Sequence, residues 1–436
     1  MRIFCAVRLW AAVFCGLLFL AAIPASAFDE DHHEVINGAM LHFRVRGADK
    51  ANPYIVILHG GPGFSAHMFY AWGPSLEKSL NVVYLDQRGS GESARLSVAN
   101  PMDPQPSEIK GYTFSTLIAD IEGVRESLKV DKWYVLGHSY GGILGLEYVA
   151  AHQDHVLGFI DMDGLVSVPQ AENAALANAA KKFAAAKDDA DLATTKQLQA
   201  LPPDNPARLG GAFGLAMGPA GLYFAGDQKS AFAAFYGQLG QALRPYSIPP
   251  AALMPANEPA VALIANDHYL TRDDTPLLSQ ITVPTLIING KEDGVITPQS
   301  AEAAHAAIKN SQLVEIDHCG HFPFFEQPEK TTAAILAFVS PKKAHKLHQE
   351  AGPVRDFAAL KVPDGLDGSF SSSQVVVDYF VSATGQPEQM RVARSCGNQA
   401  LDQACLDVIR KTRFRPAVKD GVPVPAKMEH TFSFGN

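Results

Sequence analysis

Nothing in this 436-residue sequence offers the excess of positive charge that a polyanion would need. Its 36 Lys and Arg face 45 Asp and Glu, which argues against nucleic acid as the main partner. Long polar, aromatic-poor stretches are also missing. The 35 Gly and 29 Pro are scattered and 47% of residues are hydrophobic, which excludes extensive disorder and permits a proper core. Cysteine is scarce, and of the five, Cys5 and Cys15 lie near the N-terminus. Only Cys396 and Cys405 are candidates for a disulfide, which would leave Cys319 unpaired. Histidine and carboxylate clusters with metal-ligand spacing are absent. The one tract with such residues, Asp29 to His33, reads as a solvated tail, so neither a metal nor a cofactor is expected.

What is present begins with a secretory signal. Arg2 and Arg8 make a basic start, an apolar run extends from Leu9 to Ile23, and Pro24 precedes the small residues Ala25, Ser26 and Ala27. This layout predicts cleavage before Phe28 and export to the periplasm. The apolar run is short for a membrane span. Apolar sequence continues beyond Cys15, which disfavours a lipid anchor there.

Around Asn37-Gly38 the alternation from Glu34 to Arg46 predicts a hairpin. Short apolar runs then alternate with helical segments: Tyr54 to Leu58, Val82 to Leu85, Trp133 to Leu136, Leu157 to Met162, Thr285 to Ile288 and Leu313 to Ile316. Such runs suit strands buried on both faces of a mostly parallel sheet flanked by helices. The pattern lapses over residues 164–280, where Ala-rich and Gly/Pro-punctuated text predicts a helical cap. The expected division is a signal at 1–27, a sheet core at 28–163 and 281–340 interrupted by that cap, a linker at 341–370, and a small α+β module at 371–436.

The chemistry centres on Gly137-His138-Ser139-Tyr140-Gly141. Glycines two before and two after the serine allow a sharp turn from strand to helix that projects the hydroxyl. A serine hydroxyl needs a base, an orienting acid and oxyanion donors. His321, in a loop after the last strand, is the preferred base, with His318 as its rival. Asp293 is the preferred acid, with Glu292 as its rival. His59-Gly60-Gly61-Pro62-Gly63 follows a strand, and the Gly61 and Tyr140 amides are the candidate oxyanion donors.

These motifs resemble the α/β-hydrolase superfamily and, within it, the proline iminopeptidase group (peptidase family S33). The match rests on HGGPG at 59–63, DQRGSGES at 86–93, GHSYGG at 137–142, and Gly320-His321-Phe322-Pro323 with Glu326 and Pro328. The resemblance implies Ser139 as nucleophile, His321 as base, Asp293 as orienting acid and a substrate pocket under the cap. It departs where aminopeptidases of the group hold the substrate amine. A Glu-Asn-His-Tyr sequence there corresponds to Asn266-Asp267-His268-Tyr269 here, and the cap has no Trp-Glu pair. Asp267, His268 and Tyr269 are the substrate-binding candidates. A serine nucleophile also sets the chain apart from the epoxide hydrolases and dehalogenases of the fold, which use aspartate.

From Gln374 the order strand, strand, helix, strand is similar to the C-terminal domain of TonB-type energy transducers, through residues such as Gly385, Pro387, Leu401-Asp402, Phe414-Arg415-Pro416-Ala417 and Phe432. That likeness implies an envelope protein partner, met in part by strand addition. The expectation is an exported serine hydrolase. Its substrate would be a small peptide, from which it releases the N-terminal residue, or alternatively a small ester or amide. The contrasting expectation is a non-enzymatic interaction protein acting through its last module.

Overall fold

The computed structural model describes residues 28–96, 105–339, 347–349, 351–353, 373–419 and 422–434. The expected signal at 1–27 lies outside the described residues. The chain divides into two compact units, one ending at Val339 and the other spanning Ser340–Asn436. Among the described residues no helix is long and apolar enough to cross a membrane.

In the first unit the strands are β1 (Phe28–Ile36), β2 (Ala39–Gly47), β3 (Tyr54–Leu58), β4 (Asn81–Asp86), β5 (Trp133–His138), β6 (Val156–Met162), β7 (Thr285–Gly290) and β8 (Ser311–Ile316). They form one sheet in the order β1, β2, β4, β3, β5, β6, β7, β8. From β4 to β8 every neighbouring pair is parallel, as the apolar runs predict, and every residue of β4 and β7 is buried. β2 runs antiparallel to both of its neighbours. The hairpin turns at Asn37 (φ 50°) and Gly38 (φ 77°), the left-handed pair that a two-residue turn requires.

The Asp29 to His33 tract is not a solvated tail. It forms most of β1, where half-buried and exposed residues alternate. Arg44 of β2 stands 2.5 Å from Asp29 and 3.4 Å from Asp31. Pairing along β2 satisfies the backbone, so a charged strand is held at the sheet edge.

Helices α1 (Phe114–Ser127) and α2 (Tyr140–Ala151) precede β6. Between β6 and β7 come α3 (Val168–Ala186), α4 (Asp189–Ala200), α5 (Pro206–Met217), α6 (Gln228–Leu243) and α7 (Glu258–Asp267), and the unit ends with α8 (Pro298–Ala307) and α9 (Pro328–Val339). In α3 the buried residues Ala171, Ala175, Ala179 and Phe183 recur every four positions, giving one apolar face. Side chains of Asp188, Asn205 and Asp227 accept backbone N–H groups at the starts of α4, α5 and α6. These N-caps separate what would otherwise read as one Ala-rich run.

In the second unit β9 (Gln374–Val381) lies between β10 (Pro387–Arg394) and β11 (Ala426–Ser433), antiparallel to both. Helix α10 (Gln399–Lys411) buries Leu401, Cys405, Val408 and Ile409 into a core with Val375, Val377, Tyr379 and Phe414. Part of the expected linker belongs to this unit. Leu347–Gln349 pairs with Ala417–Lys419, and Gly352–Pro353 pairs with Phe414–Arg415. The candidate disulfide is not formed: Cys396 and Cys405 are buried thiols. Cys396 Sγ lies 3.8 Å from the Asn398 carbonyl and 3.7 Å from Asp402 Oδ1. Burial pushes the Cys405 thiol up to about 12, which keeps it protonated.

Candidate active site

Ser139 joins β5 to α2 with φ 56° and ψ −123°, a conformation that costs about 1–3 kcal/mol and persists only where its surroundings enforce it. Here its N–H donates to the Asp163 carbonyl at 3.2 Å, and its carbonyl accepts from Gly142 and Leu165 N–H, each at 2.8 Å. A Cβ at Gly137 would stand 2.2 Å from the Gly141 carbonyl oxygen, and one at Gly141 would stand 2.0 Å from that of Leu58. No side chain fits at either position, so the two glycines are steric requirements of the elbow.

β3 lies between β4 and β5, so the loops leaving these three strands converge. A Cβ at Gly60 would come within 3.4 Å of Ser139 Oγ, which places the glycine loop against the serine. The loop after β4 braces it. Gln87 Nε2 donates to the His59 carbonyl at 3.0 Å, and Ser90 Oγ lies 3.0 Å from His59 Nε2. Burial lowers the pKa of His59, and its Nδ1–H donates to the Gly60 carbonyl at 2.8 Å. Gly61 has φ 125°. Tyr140 opens α2, so its amide is one of the first-turn N–H groups without an intrahelical acceptor.

His321 Nδ1 lies 2.6 Å from Asp293 Oδ2 in a pair whose side chains are 2% and 0% exposed. Asp293 Oδ1 accepts from the N–H groups of Val295 (2.8 Å) and Ile296 (3.0 Å). The rivals are placed elsewhere: the His318 side chain is 88% exposed, and Glu292 accepts from Cys319 N–H at 2.8 Å. His138 Nε2 donates to the His321 carbonyl at 2.8 Å. Burial, and then the adjacent His321, lower the pKa of His138 well below the usual histidine range, which keeps it a neutral donor. Glu326 Oε1 accepts from Gly320 N–H at 2.9 Å and Phe322 N–H at 3.4 Å, clamping the backbone on either side of His321.

Sequence reasoning missed two buried carboxyl groups, Asp161 and Asp163, the second of them near Asp293. Asp163 Oδ1 accepts from Asn289 Nδ2 at 2.6 Å and Gly290 N–H at 2.9 Å. Burial, and then the charge of Asp293, raise its pKa well above the carboxylate range. Burial alone raises that of Asp161 to about 7. Their only signal in the sequence is two aspartates at the end of an otherwise apolar strand.

A cavity of about 410 Å³ is lined by Gly61, Phe322 and Tyr269 on the core side and by residues of α5 and α6, among them Gly210, Phe213 and Phe235. No carboxylate is among the described residues that line it. Of the substrate candidates only Tyr269 faces it. Asp267 instead accepts the Phe114 N–H at the start of α1, and His268 is an exposed left-handed residue (φ 52°) that ends α7. A carboxylate already bound to a helix N-terminus is poorly placed to anchor an amine.

The chain matches the family model of the alpha/beta hydrolase fold over residues 53–328 and that of the Gram-negative bacterial TonB protein C-terminal region over residues 371–435. Proline iminopeptidase of Thermoplasma volcanium is 29% identical, with 71% of this chain and 96% of that protein aligned. Proline iminopeptidase of Saccharolobus solfataricus is 27% identical over 71% and 92%. Among solved structures, a proline iminopeptidase-related protein from Thermus thermophilus superposes with a TM-score of 0.53 at 23% identity, covering 72% of this chain and 99% of its own. The enol-lactonase of Burkholderia xenovorans does so at 0.50 and 20%, covering 71% and 100%. Matched over more than half its length, the chain belongs to the α/β-hydrolase fold family.

Proposed function

We propose that the protein is a serine hydrolase in which Ser139 attacks a carbonyl carbon and His321 takes the hydroxyl proton. Asp293 holds the imidazole in the required tautomer, and the Gly61 and Tyr140 amides receive the developing oxyanion. The leaving group departs with the proton held by His321, and water then releases the acyl group by the same path. The observation that carries this reading is the buried 2.6 Å contact between His321 and Asp293, set at the strand ends from which the Ser139 elbow and the glycine loop project. Helices α3 to α7 act as the cap.

Likeness to proline iminopeptidases supports removal of an N-terminal residue from a short peptide. A second reading, hydrolysis of an uncharged ester or amide, is favoured by a cavity whose described lining holds no carboxylate. An ammonium group would lose its hydration there without a compensating charge. The N-terminal signal pattern and the TonB-like region support export to a Gram-negative envelope, with the last unit contacting an envelope protein.

Fluorophosphonate labelling tests the mechanism: wild type is labelled and Ser139→Ala is not. An unlabelled wild type, under conditions that label a reference serine hydrolase, overturns it. Turnover of proline naphthylamide against short nitrophenyl esters then separates the two substrate readings.

A further inference from the structure

Away from Ser139, one donor atom from each of His42, His67, Asp86 and Glu92 falls within 4.8 Å of the others. The four arrive from β2, from the loop after β3 and from the end of β4 with its following loop, so no spacing in the sequence announces them. His42 and His67 are 2% and 1% exposed.

Their hydrogen bonds give each group a distinct part. Asp86 Oδ1 accepts from Ala66 N–H and Oδ2 from Glu92 N–H, each at 2.8 Å. Oδ2 also lies 2.8 Å from His42 Nδ1. A carboxylate accepting Nδ1–H fixes the other ring nitrogen as a lone-pair donor, the orientation given to metal-bound histidines. His42 Nε2 then faces Asp31 Oδ1 at 2.9 Å and Glu92 Oε1 at 3.8 Å. His67 repeats the arrangement: Nδ1 lies 3.1 Å from Ser65 Oγ, and Nε2 lies 3.2 Å from Glu92 Oε1. Donors bound to one tetrahedral Zn²⁺ at about 2.0–2.1 Å stand about 3.3 Å apart, and the separations of Glu92 Oε1 from His67 Nε2 (3.2 Å) and His42 Nε2 (3.8 Å) bracket that distance.

We propose that His42 Nε2, His67 Nε2 and Glu92 bind one divalent transition-metal ion, with Asp86 and Ser65 orienting the two imidazoles and a water completing the coordination. Two imidazoles with a carboxylate fit Zn²⁺ better than Mg²⁺ or Ca²⁺, which take oxygen donors. Asp31, with 48% of its side chain exposed, supplies the entry path. The ion fastens the first hairpin to the loops after β3 and β4, and Ser65 and His67 also line the large cavity. The competing arrangement is a protonated His42 bridging Asp31 and Asp86 without metal. Burial opposes that charge, but the Asp86 hydrogen bond and neighbouring carboxylates outweigh it and raise the pKa of His42 to about 8.

Full-length protein stripped with a chelator and titrated with Zn²⁺ against a chromophoric competitor distinguishes the two. The proposal expects one tight site per chain and a rise in Tm. Glu92→Gln keeps the backbone bond to Asp86 and nearly the same volume, yet weakens binding by at least about tenfold, the loss that removing even an outer partner brings. His67→Gln does the same, and His318→Gln, an exposed control, does not. Co²⁺ in place of Zn²⁺ gives a tetrahedral visible spectrum in wild type that Glu92→Gln abolishes, a readout that holds even if His67→Gln fails to fold. Absence of stoichiometric uptake, or Glu92→Gln binding as tightly as wild type, overturns the site in favour of the proton bridge.

Discussion

His321 and Asp293 meet at 2.6 Å through Nδ1 and Oδ2, while the other Asp293 oxygen is held by two backbone N–H groups. Asp293→Asn keeps an oxygen for those amides, so the loop is retained. It turns an amide N–H toward His321 and reverses the tautomer. We expect kcat to fall about 10⁴-fold, as loss of the triad acid does elsewhere, with little change in KM and Tm. Glu292→Gln and His318→Gln should leave kcat within about twofold, a change worth under about 0.5 kcal/mol in barrier. A large loss in either would mean that the rival residues act.

Asp267 separates a structural role from a substrate role. If its carboxylate serves the start of α1, Asp267→Ala destabilises the fold by about 1 kcal/mol, the usual size of a helix-cap deletion. Thermal unfolding and steady-state kinetics on proline naphthylamide would both be measured. The expected result is a lower Tm with an unchanged KM, and a raised KM with an unchanged Tm would restore Asp267 as the amine anchor.

The buried carboxyl of Asp161 predicts a pH effect on stability. Its pKa is raised from 3.8 to about 7 in the folded state by burial, so the folded protein holds a proton that the unfolded chain releases near 3.8. The stability tied to this proton is complete below the unfolded pKa and is lost as pH rises toward about 7. Wild type should therefore lose Tm relative to Asp161→Asn between about pH 4 and pH 7, with the two curves parallel above that. Parallel curves throughout would show that Asp161 ionises normally.

Gly210 lines the large cavity, and a Cβ there would meet nothing within 4 Å. Gly210→Leu should fold, since leucine is the better helix former by up to about 1 kcal/mol, and should fill cavity volume. Long-chain nitrophenyl esters should lose kcat/KM while acetyl esters keep it. Equal loss on both would argue that the cavity is not where the acyl group sits.

How much of this was legible depended on the range of the forces involved. The hairpin at Asn37-Gly38, the buried strands and the elbow at Ser139 follow from local rules: positive φ at a two-residue turn, continuous apolar runs, and glycine where no Cβ fits. The preference for Asp293 and His321 over Glu292 and His318 was readable only in part, because each rival lies within a few residues and spacing alone does not orient a loop.

The sequence by itself determined the sheet, the helical insertion and the serine at its turn, because backbone geometry and hydrophobic periodicity act between near neighbours. Tertiary structure alone decided which charges are buried and what each one touches. It tied Asp267 to a helix start, buried Asp161 and set Asp163 near Asp293, and turned an acidic, histidine-containing tract into a strand beside His42. Such placements depend on distance through space and on exclusion of water, and neither is written in the order of residues along the chain.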